Sequence, residues 1–65
     1  MTQFDFFKTL TPQTKRLYAE SLSDVTLKCD TRERDAILND IATAQNEHEY
    51  LTALERLEQF EESYK

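Results

Sequence analysis

The sequence has no glycine, no tryptophan, one proline and one cysteine among its 65 residues. Glycine supplies the positive φ angles of tight hairpin turns and lets phosphate-binding loops approach their ligands closely. Its absence argues against β-hairpin folds and against Walker or Rossmann nucleotide sites. Because helices need glycine only at their C-terminal caps, where asparagine can replace it, the composition predicts helices joined by short turns.

The single cysteine, Cys29, and the single histidine, His48, restrict how a chain of this size is stabilised. No disulfide can form within the chain, and a structural zinc site takes about four Cys or His ligands. A domain this small hides only roughly 60% of the surface of its unfolded chain, so it depends on regular helix packing or on a second chain. We predict one domain, residues 1–65, with neither metal nor cofactor.

The chain shows no long apolar run and no basic, apolar segment at its N-terminus. A membrane-spanning helix needs about 20 mostly apolar residues, and a secretion signal needs a basic and then an apolar stretch. A lone thiol suits a reducing compartment. These features predict a cytoplasmic protein without a membrane-spanning segment.

Charge is divided unevenly along the chain, whose net charge is −5. Residues 1–29 carry four bases and three acids, whereas residues 30–65 carry four bases and ten acids. Non-specific binding of nucleic acid depends on Lys and Arg that neutralise phosphates. The acidic second half therefore predicts a partner protein with a basic surface rather than a nucleic acid.

Capping residues predict where the helices begin. Thr11 before the only proline predicts a helix over 12–22, which continues or restarts at 23–24. Asp30 and Asn46 are acceptors suited to cap two further helices, each with a glutamate three positions later. The last two helices, about 31–44 and 47–64, are separated by so short a connection that they must form an antiparallel hairpin. The predicted fold is all-α, a bundle of three to four helices built on this hairpin.

Apolar spacing predicts which face of each helix is buried. On the second helix, the face comprises Leu17, Tyr18, Ser21, Leu22, Val25 and Cys29. On the third, it comprises Arg34, Ile37, Leu38, Ile41 and Ala44. On the fourth, a seam spaced by three and four residues, widened by Leu54, comprises Tyr50, Ala53, Leu57, Phe60 and Tyr64.

No catalytic residue is predicted. A nucleophile needs a base within hydrogen-bonding reach, and Cys29 with His48 is the strongest pair that the composition offers. Cysteine is among the most buried residue types and behaves as a small apolar side chain, which favours a core position for Cys29. His48 lies between two glutamates at a helix start, which favours an exposed side chain.

Three glutamates on one side of the fourth helix form what we call the acidic flank: Glu55, Glu58 and Glu62, with Leu51 one turn before them. Glu58 and Glu62 are like charges one turn apart, which costs about 0.2–0.5 kcal/mol, and acids late in a helix oppose its dipole. Helix stability alone does not explain them. The flank faces bases on a partner, pairs with bases of the N-terminal half, or only keeps the surface hydrated.

Phenylalanines cluster at the N-terminus as Phe4, Phe6 and Phe7. Phe4 and Phe7 are three residues apart and suit one face of a short helix. They are predicted to cover the open end of the helical hairpin, with Phe6 partly exposed. In the alternative interpretation the three rings form a patch for self-association or for a partner.

Six of the eight bases lie between positions 8 and 34, which allows a helix-turn-helix interpretation of the second and third helices. Four acids interrupt that stretch, and the turn lacks its usual glycine. The leading prediction is a small non-catalytic regulator, such as an inhibitor, adaptor or antirepressor-like factor, that occludes or bridges a partner protein. The alternatives are a nucleic-acid-binding factor using bases within 8–34, and a homodimer or larger homo-oligomer formed through the 50–64 seam or the phenylalanines.

Overall fold

The computed structural model describes residues 2–24 and 26–64, and in those residues it contains four helices and no strand. The helices are α1 (Gln3–Phe7), α2 (Pro12–Leu22), α3 (Thr31–Ala42) and α4 (Glu47–Glu62). The central helix α3 packs against both α2 and α4. The all-α class and the hairpin predicted over 31–44 and 47–64 are therefore confirmed.

The predicted N-caps hold the helix starts in place. The Thr11 hydroxyl accepts from the Thr14 amide, and the Asp30 carboxylate accepts from two amides in the first turn of α3. The Asn46 side chain accepts from the Glu49 amide at 2.9 Å. The Glu49 carboxylate accepts from the amide of residue 45 rather than from that of the cap. Each bond satisfies an amide that would otherwise lack an intrahelical partner.

The helices alternate in direction, so α2 and α4 run parallel to each other. Pro12, at the start of α2, lines the same cleft as Ala42 at the end of α3. The short α3–α4 turn reverses the chain again, and Arg56 of α4 pairs with Asp40 of α3 at 3.2 Å. α2 and α4 thus both pack on α3 and run in the same direction. Their sides that point away from α3 form one shared surface.

The core lies between α3 and its two neighbours. Its fully or almost fully buried apolar side chains are Phe7, Ala19, Ile37, Leu38, Ile41, Ala44, Tyr50, Ala53, Leu57 and Phe60. The predicted apolar face of α3 and four of the five positions of the α4 seam are confirmed. Tyr64, the fifth, is 42% exposed and contacts Phe60 edge-on at 5.0 Å. It lies two residues beyond the end of α4, where the helical spacing no longer applies.

The predicted face of α2 is wrong. Leu17 is 64% exposed and Leu22 is 41% exposed, whereas Ala19, which was not predicted, is completely buried. Ser21 is exposed, Tyr18 and Cys29 are partly buried, and Val25 lies outside the described residues. The small side chain of Ala19 lets α2 approach the core closely, so this contact rotates the leucines outward.

The predicted restart of helix at 23–24 is also wrong, because tertiary hydrogen bonds end α2 there. Ser23 has an extended backbone, and its hydroxyl donates to a carboxylate oxygen of Glu61 at 3.2 Å. The Asp24 amide donates to the same oxygen. From the other side, the Arg34 guanidinium donates to the Asp24 carbonyl at 2.8 Å. These bonds replace the amide and carbonyl partners that a continuing helix would supply.

The phenylalanines lie at the turn end of the hairpin, not at its open end as predicted. The Phe7 ring is completely buried against Tyr50, in the first turn of α4, with ring centroids 4.7 Å apart. Phe4 contacts the same ring at 5.8 Å. The short 8–11 connection ties α1 to the start of α2, which itself lies beside the end of α3. That tether brings α1 to the α3–α4 turn. The predicted exposure of Phe6 is confirmed at 58%.

Candidate functional site

Cys29 and His48 lie at opposite ends of the helical hairpin. Cys29 precedes the start of α3 and packs partly buried against the core, while His48 is exposed in the first turn of α4. The 12 residues of α3 separate the two ends by about 18 Å at 1.5 Å per residue. The two side chains therefore cannot act together as nucleophile and base, which requires hydrogen-bonding distance.

An open cleft of about 460 Å³ runs between α3 and α4 near their turn. Its ionisable side chains include His48, Glu49, Asp40 and Arg56. Arg56 and Asp40 pair with each other, and Glu49 accepts from the backbone. No group of three His, Cys, Asp or Glu side chains within 2–24 and 26–64 is placed to hold a metal ion. The charged side chains of this cleft mainly form ion pairs and hydrogen bonds within the α3–α4 hairpin.

The acidic flank of α4 is exposed and makes no ion pair or hydrogen bond with any other described residue. Pairing with bases of the N-terminal half is therefore wrong as an explanation. Lys8 pairs with Asp5 at 3.3 Å, and Arg16 pairs with Asp35 and Glu20. Lys15 lies 5.6 Å from the centre of the Phe7 ring. The flank is left to solvent or to a partner.

Glu61, which the sequence did not single out, shows where the acidic flank points. Its carboxylate faces the end of α2, where it accepts from Ser23 and Asp24. Arg56 marks the opposite side of α4, because it pairs with α3. Successive helical residues are about 100° apart, so Leu51, Glu58 and Glu62 lie nearer to the Glu61 side than to the Arg56 side, whereas Glu55 points almost directly away from the core. The flank therefore reaches the surface shared by α2 and α4 through Glu58 and Glu62, beside Leu51.

Apolar side chains occupy that shared surface, which we call the α2–α4 face: Phe6, Tyr18, Leu22, Leu51 and Leu54. Phe6 meets the Tyr18 ring edge-on at 6.5 Å. Leu22 follows Tyr18 by one turn, and Leu54 lies one turn beyond the buried Tyr50. Exposure is 58% for Phe6, 51% for Leu51 and 41% for Leu22. Adjacent exposed apolar side chains are typical of interaction surfaces.

Some of the predicted site residues are exposed in the structure, and others are buried and cannot contact a partner. Leu51 and the acidic flank lie on the exposed side of α4, and Phe6 contacts Tyr18 of α2. Phe7 is core and Phe4 is partly buried, so neither offers a free surface. Sequence reasoning missed Tyr18 and Leu22 as surface residues because it assigned them to the core. The signal that could have found them is the spread of apolar residues around α2 over more than one face.

The Tyr50 hydroxyl is the least solvated polar group of the aromatic cluster. It is buried beside the Tyr18 phenol, without a hydrogen bond of ordinary geometry among the described residues. Burial, and then the neighbouring Tyr18 phenol, raises the pKa of Tyr50 from 10.0 to about 12. The native state therefore holds this proton more tightly than the unfolded chain does.

A raised pKa predicts that stability is lost in alkali. The contribution of Tyr50 is complete below about pH 10 and falls as the pH rises towards 12, because only the unfolded chain then releases the proton. We expect the free energy of unfolding to fall by about 1 kcal/mol from this group by about pH 11. Urea titrations at pH 8 and pH 11 should show that Tyr50→Phe lacks this part of the loss. Tyr64→Phe, at an exposed ring, should keep it, and equal losses in both variants would contradict the prediction.

Comparisons with protein-family models, with curated proteins and with solved structures find no match to this chain. Within the described ranges, no helix combines the length and the apolar character needed to cross a bilayer.

Proposed function

We propose that the chain is a non-catalytic regulator that binds a protein with a basic surface and thereby occludes that surface. The contact is made by the α2–α4 face and the acidic flank beside it. One observation carries this proposal: three exposed carboxylates without a partner among the described residues border apolar side chains that are 41–58% exposed. A hydrated surface alone would not require the apolar half of this arrangement.

The two halves of the surface have different energetic roles. Removing apolar area from water stabilises a complex by about 25 cal/mol per Å², and Phe6, Leu22 and Leu51 supply such area. The carboxylates mainly increase the rate of encounter and select a partner of opposite charge. Bases on a partner would also offset the repulsion between Glu58 and Glu62 and their unfavourable position late in the helix.

Two observations count against the nucleic-acid alternative. Arg16 and Arg34, two of the six bases within 8–34, are engaged inside the fold, one with carboxylates and the other with backbone carbonyls. The connection between α2 and α3 spans residues 23–30, whereas a helix-turn-helix motif joins its helices by about three or four residues. A protein partner remains the better supported proposal.

Charge reversal tests the proposal. Immobilised full-length chain should capture a partner from its native lysate, and Glu55→Lys with Glu58→Lys should reduce that capture at least about tenfold, since two attractions become repulsions. Zero-length carbodiimide coupling, which joins carboxylates to amines, should link the flank of the unaltered chain to lysines of the captured protein. Mass spectrometry of the linked peptides identifies both ends.

A matched control carries the same net charge as the double variant. Glu33→Lys, Ala36→Lys and Asn39→Lys alter exposed positions of α3, away from the α2–α4 face and from the acidic flank, and circular dichroism should show equal helicity in both proteins. We expect the control to keep its capture. Equal loss in the control, unaltered capture by the double variant, or no captured protein at all would overturn the proposal.

A further inference from the structure

The surface between α2 and α4 lies over α3 and carries an apolar stripe. Both helices run in the same direction and pack on α3. α3 therefore lies beneath the surface between them. Tyr18 and Leu54 are partly buried against the core, and Leu22, more exposed, lies beside them. Helical bundles bury such stripes by packing another helix along them.

Resting on the proposed function, we infer that the partner contributes a single amphipathic, basic helix that packs along the α2–α4 face, beside the three longer helices α2, α3 and α4. Its apolar stripe covers Tyr18, Leu22 and Leu54. Its lysines and arginines lie along one side of that stripe, opposite the acidic flank.

The two borders of the face differ, and this difference orients the bound helix. The α4 border carries the acidic flank, whereas the α2 border carries the uncharged Thr14 and Ser21 and, one turn before Tyr18, the base Lys15. A helix with bases on both sides would leave half of them without partners, so complementarity selects bases on one side only. The rings of α1 limit the face at one end, and the Ser23–Glu61 hydrogen bond limits it at the other.

The length of the face sets the length of the occupant. On α2 the open part of the face runs from Tyr18, which the Phe6 ring meets, to Ser23, about 8 Å at 1.5 Å per residue. On α4 it runs from Leu51 to Glu61, about 15 Å. A helix of two to three turns, about 7–10 residues, matches that span. A longer helix would extend past the described core without gaining apolar contact.

A second copy of this chain is the less complementary occupant. Each copy has a net charge of −5, and a two-fold contact presents the same surface from both copies. The nearby bases do not compensate. Lys8 and Lys15 line the cleft between α1, α2 and the end of α3. Lys15 follows the same side of α2 as Tyr18 and Leu22, so each copy would set one lysine against the three glutamates of the flank.

Designed peptides test the inference without knowledge of the natural partner. The probe is a 10-residue peptide of Leu and Lys that is ordered to form an amphipathic helix. Its controls are a scrambled peptide of the same composition and a peptide with Glu in place of Lys. We expect only the amphipathic Lys peptide to bind the ¹⁵N-labelled full chain. Amide shifts should then concentrate at Tyr18, Leu22, Leu54 and Glu58.

Two variants of equal charge locate the binding. Leu22→Glu places a carboxylate in the face and should weaken the Lys peptide at least about tenfold, despite adding a charge that attracts it. Leu17→Glu places the same charge on the outward side of α2 and should leave the affinity within about twofold. Equal effects of the two variants, equal binding of the scrambled peptide, or shifts outside the α2–α4 face would overturn the inference.

The proposed function and the helix inference can fail separately. Capture that depends on the acidic flank, combined with no binding of the Lys peptide, would leave the function standing and refute a helical occupant. Sedimentation that shows a dimer of this chain, lost in Leu22→Glu but kept in Leu17→Glu, would assign the face to a second copy and refute the inference. A monomer at every concentration supports it.

Discussion

Phe7→Ala is expected to lower the free energy of unfolding by about 3–5 kcal/mol, the usual cost of emptying a buried aromatic site. The ring is completely buried, and its centroid lies 4.7 Å from that of Tyr50 and 5.7 Å from that of Tyr18. It is the main link between α1, α2 and the start of α4. The free energy of unfolding of a typical protein is roughly 0.05–0.15 kcal/mol per residue. The expected loss is therefore comparable to the whole stability of a domain this small.

The neighbouring ring supplies the control for this prediction. Phe6→Ala removes a side chain that is 58% exposed, so we expect a loss below about 1 kcal/mol. Urea unfolding followed by circular dichroism measures both variants, and the Phe7 variant should lack a folded baseline or show a far lower midpoint. Similar midpoints for the two variants would contradict the packing of α1 at the turn end of the hairpin.

The hairpin of α3 and α4 could be predicted from the sequence because its local signals agree with one another. Asp30 and Asn46 are both caps and helix boundaries. The apolar residues between them recur at one helical period, so a single face satisfies them all. Here capping, spacing and burial all favour the same arrangement, so tertiary contacts do not have to overcome any local preference of the sequence.

The candidate site was predicted only in part, for a reason that lies in α2. The exposure of Leu51 and the acidic flank follows from the α4 seam, since these residues fall outside it. The position of Phe6 beside Tyr18 depends instead on how α1 folds back, and the 8–11 connection carries no local signal for that. Leu22 was assigned to the buried face because helical spacing alone cannot distinguish an apolar residue that packs inside from one that stays exposed.

Ala19→Leu tests which side of α2 faces the core: the side of Ala19, as in the structure, or the side of Leu17, as predicted from spacing. Ala19 is completely buried in the core cluster, whereas Leu17, two residues earlier, is 64% exposed. A leucine at position 19 adds three carbons where α2 packs on the core. Overpacking of this kind costs about 1–3 kcal/mol, and we expect the upper end because the site has no exposed edge.

The opposite substitution, at the outward position Leu17, should change the stability very little. Leu17→Ala removes an outward side chain and should alter the free energy of unfolding by less than about 0.5 kcal/mol. If the face predicted from spacing were right, the order would reverse: Leu17→Ala would cost about 2–5 kcal/mol as a core truncation, and Ala19→Leu would be tolerated. Thermal and urea unfolding of the two variants therefore decide which side of α2 faces the core. They also decide whether Leu22 is free to contribute to the α2–α4 face.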